Sequence, residues 1–295
     1  MKFSVVLAVY NVHNTIEKTI QSLQNQTFKD FEVIFVDSSP NDLSSNIIKK
    51  YPEFKLVKSN KRLYAGVARN LGVEHAKGEI LAFTDPDCIQ DKDWLLKLNE
   101  SFNKGFNTVG GSIACYPDDL VSYAAHITKF WKWLPVEKYS NIDIIIGGNF
   151  SIKKNLFLEV GGFYKKKLSS QDTELCYRLL ECKERIIFNG SAVVTHIHNI
   201  KLISLIKLRY IRGKEFAMMR ISTIYWNKFY SLLFLILFPI LPFKNFFEKM
   251  FVCSKRKYLM KFILTSPIIL LCEIAWMTGQ FIIILKSVII KSTVY

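Results

Sequence analysis

The apolar positions of the first 110 residues fall in short unbroken runs, separated by stretches where they recur every three or four residues. Phe3–Val9 reads as a strand, Thr15–Gln24 as a helix with Ile16, Ile20 and Leu23 on one face, and Glu32–Val36 as a second strand ending at Asp37. Leu43–Lys50 predicts a helix, Lys55–Lys58 a strand, Gly66–Ala76 a helix and Ile80–Thr84 a strand. Alternation of this kind specifies an α/β domain built on a mostly parallel sheet with both faces covered. Ligands of such sheets lie beyond the carboxyl ends of the strands. Tyr10-Asn11, Asp37 and the pair Asp85/Asp87 all fall at those ends.

Further along, Pro117–Tyr139 reads as irregular, with Trp131 and Trp133 close together. The pairs Gly147-Gly148 and Gly161-Gly162 permit tight backbone turns. Thr173–Cys182 predicts a helix with Ser170 or Asp172 as its N-cap, and Val193–His198 a strand that closes the domain. The domain is therefore expected to run from residue 1 to 198.

After His198 the pattern changes. Residues 199–228 weave Leu202, Leu205, Ile206 and Leu208 among Lys201, Lys207, Arg209, Arg212 and Lys214, a basic amphipathic segment suited to a membrane interface. Residues 229–295 then carry two long apolar stretches. Phe229–Phe243 has no charge but contains Pro239 and Pro242, and as a helix it reaches only about 22 Å, short of a hydrocarbon core of about 30 Å. Phe262–Leu285 holds one acid, Glu273, and is long enough to span. If both crossed, the loop Lys244–Lys261 with its six Lys/Arg would face outward, against the positive-inside tendency. The first stretch is accordingly expected to be re-entrant or in-plane and the second transmembrane.

Charge supports this division. The chain has a formal net charge of +15, but residues 1–200 contribute only +3 of it and residues 201–295 contribute +12. Basic charge interleaved with apolar sequence points to an anionic membrane surface and not to nucleic acid, and no aromatic-glycine RNA-binding strand motif is present. Six cysteines are scattered without a Cys-x-x-Cys pair, so the spacing suggests neither zinc nor a disulfide framework, and reduced, scattered thiols fit a catalytic domain on the cytoplasmic side. Lys2 and the run Phe3–Tyr10 lead into Asn11 and a helical pattern without a small-residue cleavage site, so the run is read as a strand and not as a leader.

The chemistry centres on Asp85-Pro86-Asp87. Carboxylates two residues apart at a strand end project to one side, and two like charges so close repel unless a cation lies beside them. Hard divalent ions take carboxylate oxygens while leaving positions for phosphate oxygens, so a strand ending in Asp-x-Asp is a candidate metal–diphosphate clamp.

The order Ser4-Val5-Val6-Leu7-Ala8-Val9-Tyr10-Asn11, Gln24-Asn25-Gln26-Thr27, Glu32-Val33-Ile34-Phe35-Val36-Asp37, Ala65-Gly66-Val67-Ala68-Arg69-Asn70-Leu71-Gly72, Gly78-Glu79-Ile80 and Asp85-Pro86-Asp87 resembles glycosyltransferase family 2 over roughly residues 2–198. The resemblance implies the GT-A fold (a Rossmann-like nucleotide-diphospho-sugar transferase domain), a nucleotide-diphospho-sugar donor, a divalent metal (Mn²⁺ or Mg²⁺) and inverting transfer. It places Val9, Tyr10, Asn11 and Asp37 in the base and ribose pocket, Arg69 near the diphosphate, Asp85 at the ribose or metal, and Asp87 on the metal. It makes Asp172 the catalytic base, with His196 or His198 completing the metal site. Asp37 is followed by Ser38-Ser39-Pro40 where the family commonly has a second acid and a glycine, and Gln171 stands where Glu is common. No Gln-x-x-Arg-Trp follows Asp172, so transfer of a single sugar is expected, not processive synthesis. The tail fits an acceptor presented at the membrane, such as a lipid-linked saccharide. The competing readings are a degenerate nucleotide-sugar-binding scaffold and a sugar nucleotidyltransferase. The latter would need a glycine-rich basic loop after the first strand, and Tyr10-Asn11-Val12-His13-Asn14 has neither glycine nor Lys or Arg.

Overall fold

The computed structural model describes residues 1–164, 171–223 and 226–289. They form two compact units, one of residues 1–114, 133–164 and 171–197, the other of residues 115–132, 198–223 and 226–289.

The first unit is built on a nine-stranded sheet. Strands β1 (Phe3–Val9), β2 (Phe31–Asp37), β3 (Lys55–Lys58) and β4 (Ile80–Thr84) lie in the order β3-β2-β1-β4, all parallel. The residues of β1, β2 and β4 are mostly buried whichever way they point, which is why they read as continuous apolar runs, whereas the edge strand β3 has no buried residue. The intervening helices are α1 (Ile16–Gln24), α2 (Leu43–Ile48) and α3 (Ala65–Glu74). At Gly72 a side chain would overlap Val6, so the glycine lets α3 press onto β1.

Beyond β4 the expected parallel order stops. Strands β5 (Cys88–Gln90), β6 (Thr108–Tyr116), β7 (Tyr139–Asn141), β8 (Asn149–Lys153) and β9 (Ile186–Ile197) extend the sheet as β4-β8-β6-β9-β5, with β7 also on β9. The pairs β4–β8, β6–β8, β5–β9 and β7–β9 are all antiparallel. The sheet is thus mixed: these later strands are not fed one after another by the strand–helix repeat that forces parallel pairing in the first 84 residues. Helices α4 (Trp94–Asn103), α6 (Lys154–Glu159) and α7 (Gln171–Glu181) complete the unit. Phe83 anchors its core, 5.8, 5.4 and 5.0 Å from the rings of Phe150, Phe157 and Phe163.

The second unit is helical. Pro117–Tyr139, expected to be irregular, contains α5 (Leu120–Phe130) and a 3₁₀ turn (Trp131–Trp133). Asp119 caps α5, accepting from Ser122 N at 2.9 Å, so the helix begins at a conventional capping residue just past Pro117. The C-terminal helices are α8 (Leu202–Thr223), α9 (Lys228–Leu237), α10 (Leu241–Lys255) and α11 (Leu259–Ile289). Helices α9 and α10 meet at an 81° bend across residues that include Pro239, so the stretch Phe229–Phe243 is broken, not straight. Helix α11 has 31 residues, about 46 Å at helical rise, with a mean hydropathy of 2.1 in its most apolar window, of which less than half is buried. It is long and apolar enough to cross a membrane.

Helices α8 and α11 cross with their backbones close together. A side chain at Gly213 would overlap the Trp276 carbonyl, and one at Gly279 the Tyr210 carbonyl. Small residues at helix crossings are the usual device for packing within lipid. Near this crossing Glu273 is fully buried on α11. Its carboxylate lies 3.3 Å from Arg209 Nη2 on α8 and 3.1 Å from Lys249 Nζ on α10, and accepts from Asn245 Nδ2 at 3.3 Å. By contrast Lys207 and Arg212 on α8, and Lys201 just before it, are exposed while Leu205, Ala217 and Met219 are buried.

Candidate active site

The site lies at the carboxyl ends of β1, β2 and β4. At the end of β1, Val9 is buried and faces Asp37 in register across the β1–β2 pair. Tyr10 follows, with the Arg62 guanidinium 4.5 Å above its ring. Asn11 has φ of 55°, a left-handed conformation that Asn tolerates better than most residues, and its N–H donates to Ser39 Oγ at 2.9 Å. Asp37 itself is wholly buried. It accepts from Ser39 N at 2.8 Å and from Ser45 Oγ, and Lys58 Nζ lies 3.2 Å away. Burial pushes its carboxyl up, but the bonds from Ser39, Ser45 and Lys58 outweigh this and hold it below the usual carboxylate range. Its oxygens are thus engaged within the protein, tying β2 to the loop that carries α2.

Arg69, on α3, is almost fully buried and donates from Nη2 to Asp85 Oδ1 at 2.5 Å. Its guanidinium lies 5.5 Å from the Phe163 ring centroid. A cation fixed in this way cannot swing away, and its planar fork presents further donors beside Asp85. The segment Gly147-Gly148 closes on both. A side chain at Gly147 would overlap the Arg69 guanidinium, and one at Gly148 would come within 3.0 Å of Asp85 Oδ2. These two glycines serve close approach, whereas Gly161 and Gly162 supply the positive φ of 84° and 68° that a tight turn demands.

Asp172 lies in the first turn of α7, so the helix begins before it; Ser170 lies outside the described residues. Its Oδ2 accepts from Gly147 N at 3.0 Å and its Oδ1 from Thr173 N at 2.8 Å. The adjacent Gln171 accepts from Gly66 N at 2.6 Å, clamping the start of α7 to the start of α3. Gly147 thus bonds Asp172 through its N–H and packs against the Arg69 guanidinium, joining residues from α7 and α3.

The other Asp of the pair sits beside a histidine. Register Cys88↔His196 in the β5–β9 ladder, reinforced by Ile197 N donating to Asp87 O at 2.8 Å, brings His196 Nε2 to 3.6 Å from Asp87 Oδ2. Ligand atoms of Asp85, Asp87 and Cys88 all lie within 4.8 Å of one another. Carboxylate oxygens with one imidazole fit Mn²⁺ or Mg²⁺, the nitrogen favouring the transition ion.

The family model for "Glycosyl transferase family 2" matches residues 4–161, which cover every strand from β1 to β8 and the Asp85/Asp87 pair. The chain belongs to glycosyl transferase family 2. Among family relatives, Haloferax volcanii glycosyltransferase AglE is 25% identical over 201 residues, 65% of this chain and 66% of the relative. The glucosyl-dolichyl phosphate glucuronosyltransferase of the same organism is 24% identical over 218 residues, 66% of this chain and 69% of the relative. The chain therefore spans about two thirds of the length of these curated relatives. A solved mannosyltransferase from Pyrobaculum calidifontis, in complex with GDP-Man and Mn²⁺, superposes with a TM-score of 0.61 at 19% identity, covering 99% of this chain and 88% of that one. The GT-A fold is thereby shared.

Three contributors to the family-2 site escape a reading of the sequence. Arg62 over Tyr10 has no spacing signal. The Gly147 N–H acts through backbone, which composition cannot reveal. Gln171 stands beside Asp172 in sequence, but its reach to Gly66 exists only in the fold.

Proposed function

We propose that this glycosyltransferase transfers a single sugar, with inversion, from a nucleotide-diphospho-sugar to a hydroxyl of a membrane-presented acceptor, a lipid-linked saccharide. The observation that carries the reading is the fastening of Asp172 by the Gly147 N–H beside the Arg69–Asp85 pair. Asp172 accepts the proton of the acceptor hydroxyl as its oxygen attacks the anomeric carbon. The new C–O bond forms on the face opposite the departing diphosphate, through a transition state of oxocarbenium character. Arg69 offers a fixed cation to the diphosphate oxygens. Asp87, His196 and Asp85 would hold a divalent ion, which when bound would supply charge compensation for the leaving diphosphate. Val9, Tyr10, Asn11 and Asp37 shape the base and ribose pocket, with Asp37 acting through the Ser39–Ser45 loop it organises.

The acceptor side of the reading is supported by the apolar α11, by the exposed basic residues of α8 and by the dolichyl-linked substrate in the name of one relative. We read residues 1–198 as the donor-binding domain, 199–228 as interfacial, and 229–295 as membrane-associated, with 229–243 re-entrant or in-plane and 262–285 spanning. All six cysteines lie among the described residues and none is in a disulfide, in keeping with a catalytic domain on the cytoplasmic side.

The test is a thermal-shift panel of nucleotides and nucleotide-sugars on detergent-solubilised protein, each with Mn²⁺, Mg²⁺ or EDTA. Selective stabilisation by one nucleoside diphosphate, abolished by EDTA, is expected. No stabilisation of the folded protein by any of them would overturn the donor assignment.

A further inference from the structure

The second unit holds another cluster of metal-binding side chains, apart from Asp85 and Asp87. Cys115 near the end of β6, His126 within α5 and His198 just after β9 bring Sγ and ring nitrogens within 4.8 Å of one another. His126 Nδ1 lies 3.2 Å from His198 Nε2, with the rings nearly perpendicular at 89°. Around a tetrahedral zinc ion, with Zn–N of about 2.0–2.1 Å and Zn–S of about 2.3 Å, two nitrogens lie about 3.3 Å apart and a nitrogen and a sulfur about 3.6 Å. The imidazole pair is therefore already at the separation of two ligands on one ion, and the sulfur needs to close by about 1 Å at most.

The backbone supports this convergence. His198 N donates to Tyr116 O at 2.7 Å, which fastens the residue bearing one imidazole to the neighbour of Cys115. His126 is fully buried on α5, its ring packed 5.1 Å from Phe130, so its direction is fixed by the core. Cys115 Sγ makes a long contact to Pro117 O at 3.7 Å, a weak bond that metal ligation could replace. The arrangement also distinguishes the two histidines of Thr195-His196-Ile197-His198. His196 faces Asp87, while His198 faces His126.

We propose that Cys115, His126 and His198 form a zinc site, distinct from the divalent-ion site at Asp87 and His196. The donor set decides the metal: a thiolate with two neutral imidazoles suits Zn²⁺, whereas carboxylate oxygens suit Mn²⁺ and Mg²⁺. On loading, the Cys115 thiol gives up its proton to solvent and the thiolate ligates zinc. His126 binds through Nδ1 and His198 through Nε2, each as the neutral imidazole, and the fourth position is left to water or an exogenous donor. The bound ion cross-links the end of β6 and the adjoining α5 to the segment after β9, 72 residues beyond His126.

The test uses full-length protein purified in detergent without chelator. Elemental analysis is expected to give about one zinc per chain that survives dialysis removing Mn²⁺ and Mg²⁺. Replacement by Co²⁺ should give the strong visible bands of four-coordinate cobalt and a near-ultraviolet sulfur-to-cobalt band. Cys115→Ser should lose the sulfur band and His126→Gln should weaken zinc retention, whereas Asp87→Asn should leave the cobalt spectrum intact. The wild-type cobalt spectrum reads the site without any variant, so misfolding of a variant does not decide the matter. Folded wild-type protein that takes up no stoichiometric zinc, or whose cobalt spectrum shows no sulfur band, overturns the proposal. A sulfur band that disappears in Asp87→Asn overturns the separation of the two sites. Donor binding in the thermal-shift panel is read independently, so neither result depends on the other.

Discussion

The two units both bury apolar side chains but differ in where they place charge and what they leave exposed. In the sheet unit the interior is aromatic and aliphatic, with Phe83, Phe150, Phe157 and Phe163 packed together and the charged groups gathered at strand ends. In the helical unit Glu273, Gln280 and Lys249 are buried while Phe229, Ile236, Ile203, Met260 and Leu264 lie more than half exposed. One rule produces both arrangements. In water, apolar area is driven inward and carries the stability. Where lipid covers the outer face, apolar exposure costs nothing, and polar groups must find partners inside. This partial inversion of burial, together with the length of α11, supports the membrane-associated reading proposed for the second unit.

The comparison can be broken at several points. The largest effect is expected at the site. Asp172→Asn should lower transfer by about a hundred- to ten-thousand-fold, the range for loss of a general base, with nucleotide-induced thermal stabilisation retained. Near-normal turnover in that variant would remove Asp172 from its role. Matched core variants come next. Phe83→Ala in the sheet unit should cost about 3–5 kcal/mol by leaving a cavity. Glu273→Gln in the helical unit should cost a comparable 3–5 kcal/mol by leaving Arg209 and Lys249 without a counter-charge. Both are measurable by denaturation in detergent. A neutral Glu273→Gln would mean that the helical interior is wet, and the inversion of burial would fail.

A smaller effect is expected from Asp37→Asn, about 1–3 kcal/mol at neutral pH, because it takes the charged acceptor from Ser45 and one of two counter-charges, the other being Asp42, from Lys58. Since Asp37 is held below the usual carboxylate range when folded, its contribution is present above the unfolded value near pH 3.9 and fades as pH falls through the folded one. Wild type and variant should therefore converge in acid, as followed by unfolding midpoints between pH 7 and pH 3. The smallest stability effect is expected at the surface. Phe229→Ser should change detergent stability by less than about 0.5 kcal/mol, yet reduce sedimentation with vesicles. Equal vesicle binding would take Phe229 out of the lipid-facing surface.

How much of this could be read from residue order depends on what carries each feature. Strands β1, β2 and β4 were legible because strands buried on both faces leave unbroken apolar runs, and the acids at the ends of β2 and β4 stand out against them. The antiparallel half was not, since Gly110 and Gly111 interrupt the run in β6 and pairing direction is set by tertiary contacts. Helix α5 was hidden between Pro117 and Pro135, although Asp119 is a sound cap. At the site, Asp85 and Asp87 were visible as a pair; the fold keeps their ligand atoms within 4.8 Å but gives each its own partner, Arg69 for Asp85 and His196 for Asp87. Gly147 reads as a turn residue, while its use is to let an N–H reach Asp172 with Arg69 against its back.

The buried triad of Arg209, Lys249 and Glu273 has a consequence for how the chain is made. Both cations precede the carboxylate in sequence, on α8 and α10, and Glu273 sits within the last described helix. During synthesis the two counter-charges have therefore already emerged from the ribosome when the acid appears. The acid never has to enter an apolar phase ahead of its partners. Rearranging the gene so that α11 is translated before α8 would keep every contact of the finished molecule and remove that protection, leaving a lone carboxylate to wait in the membrane.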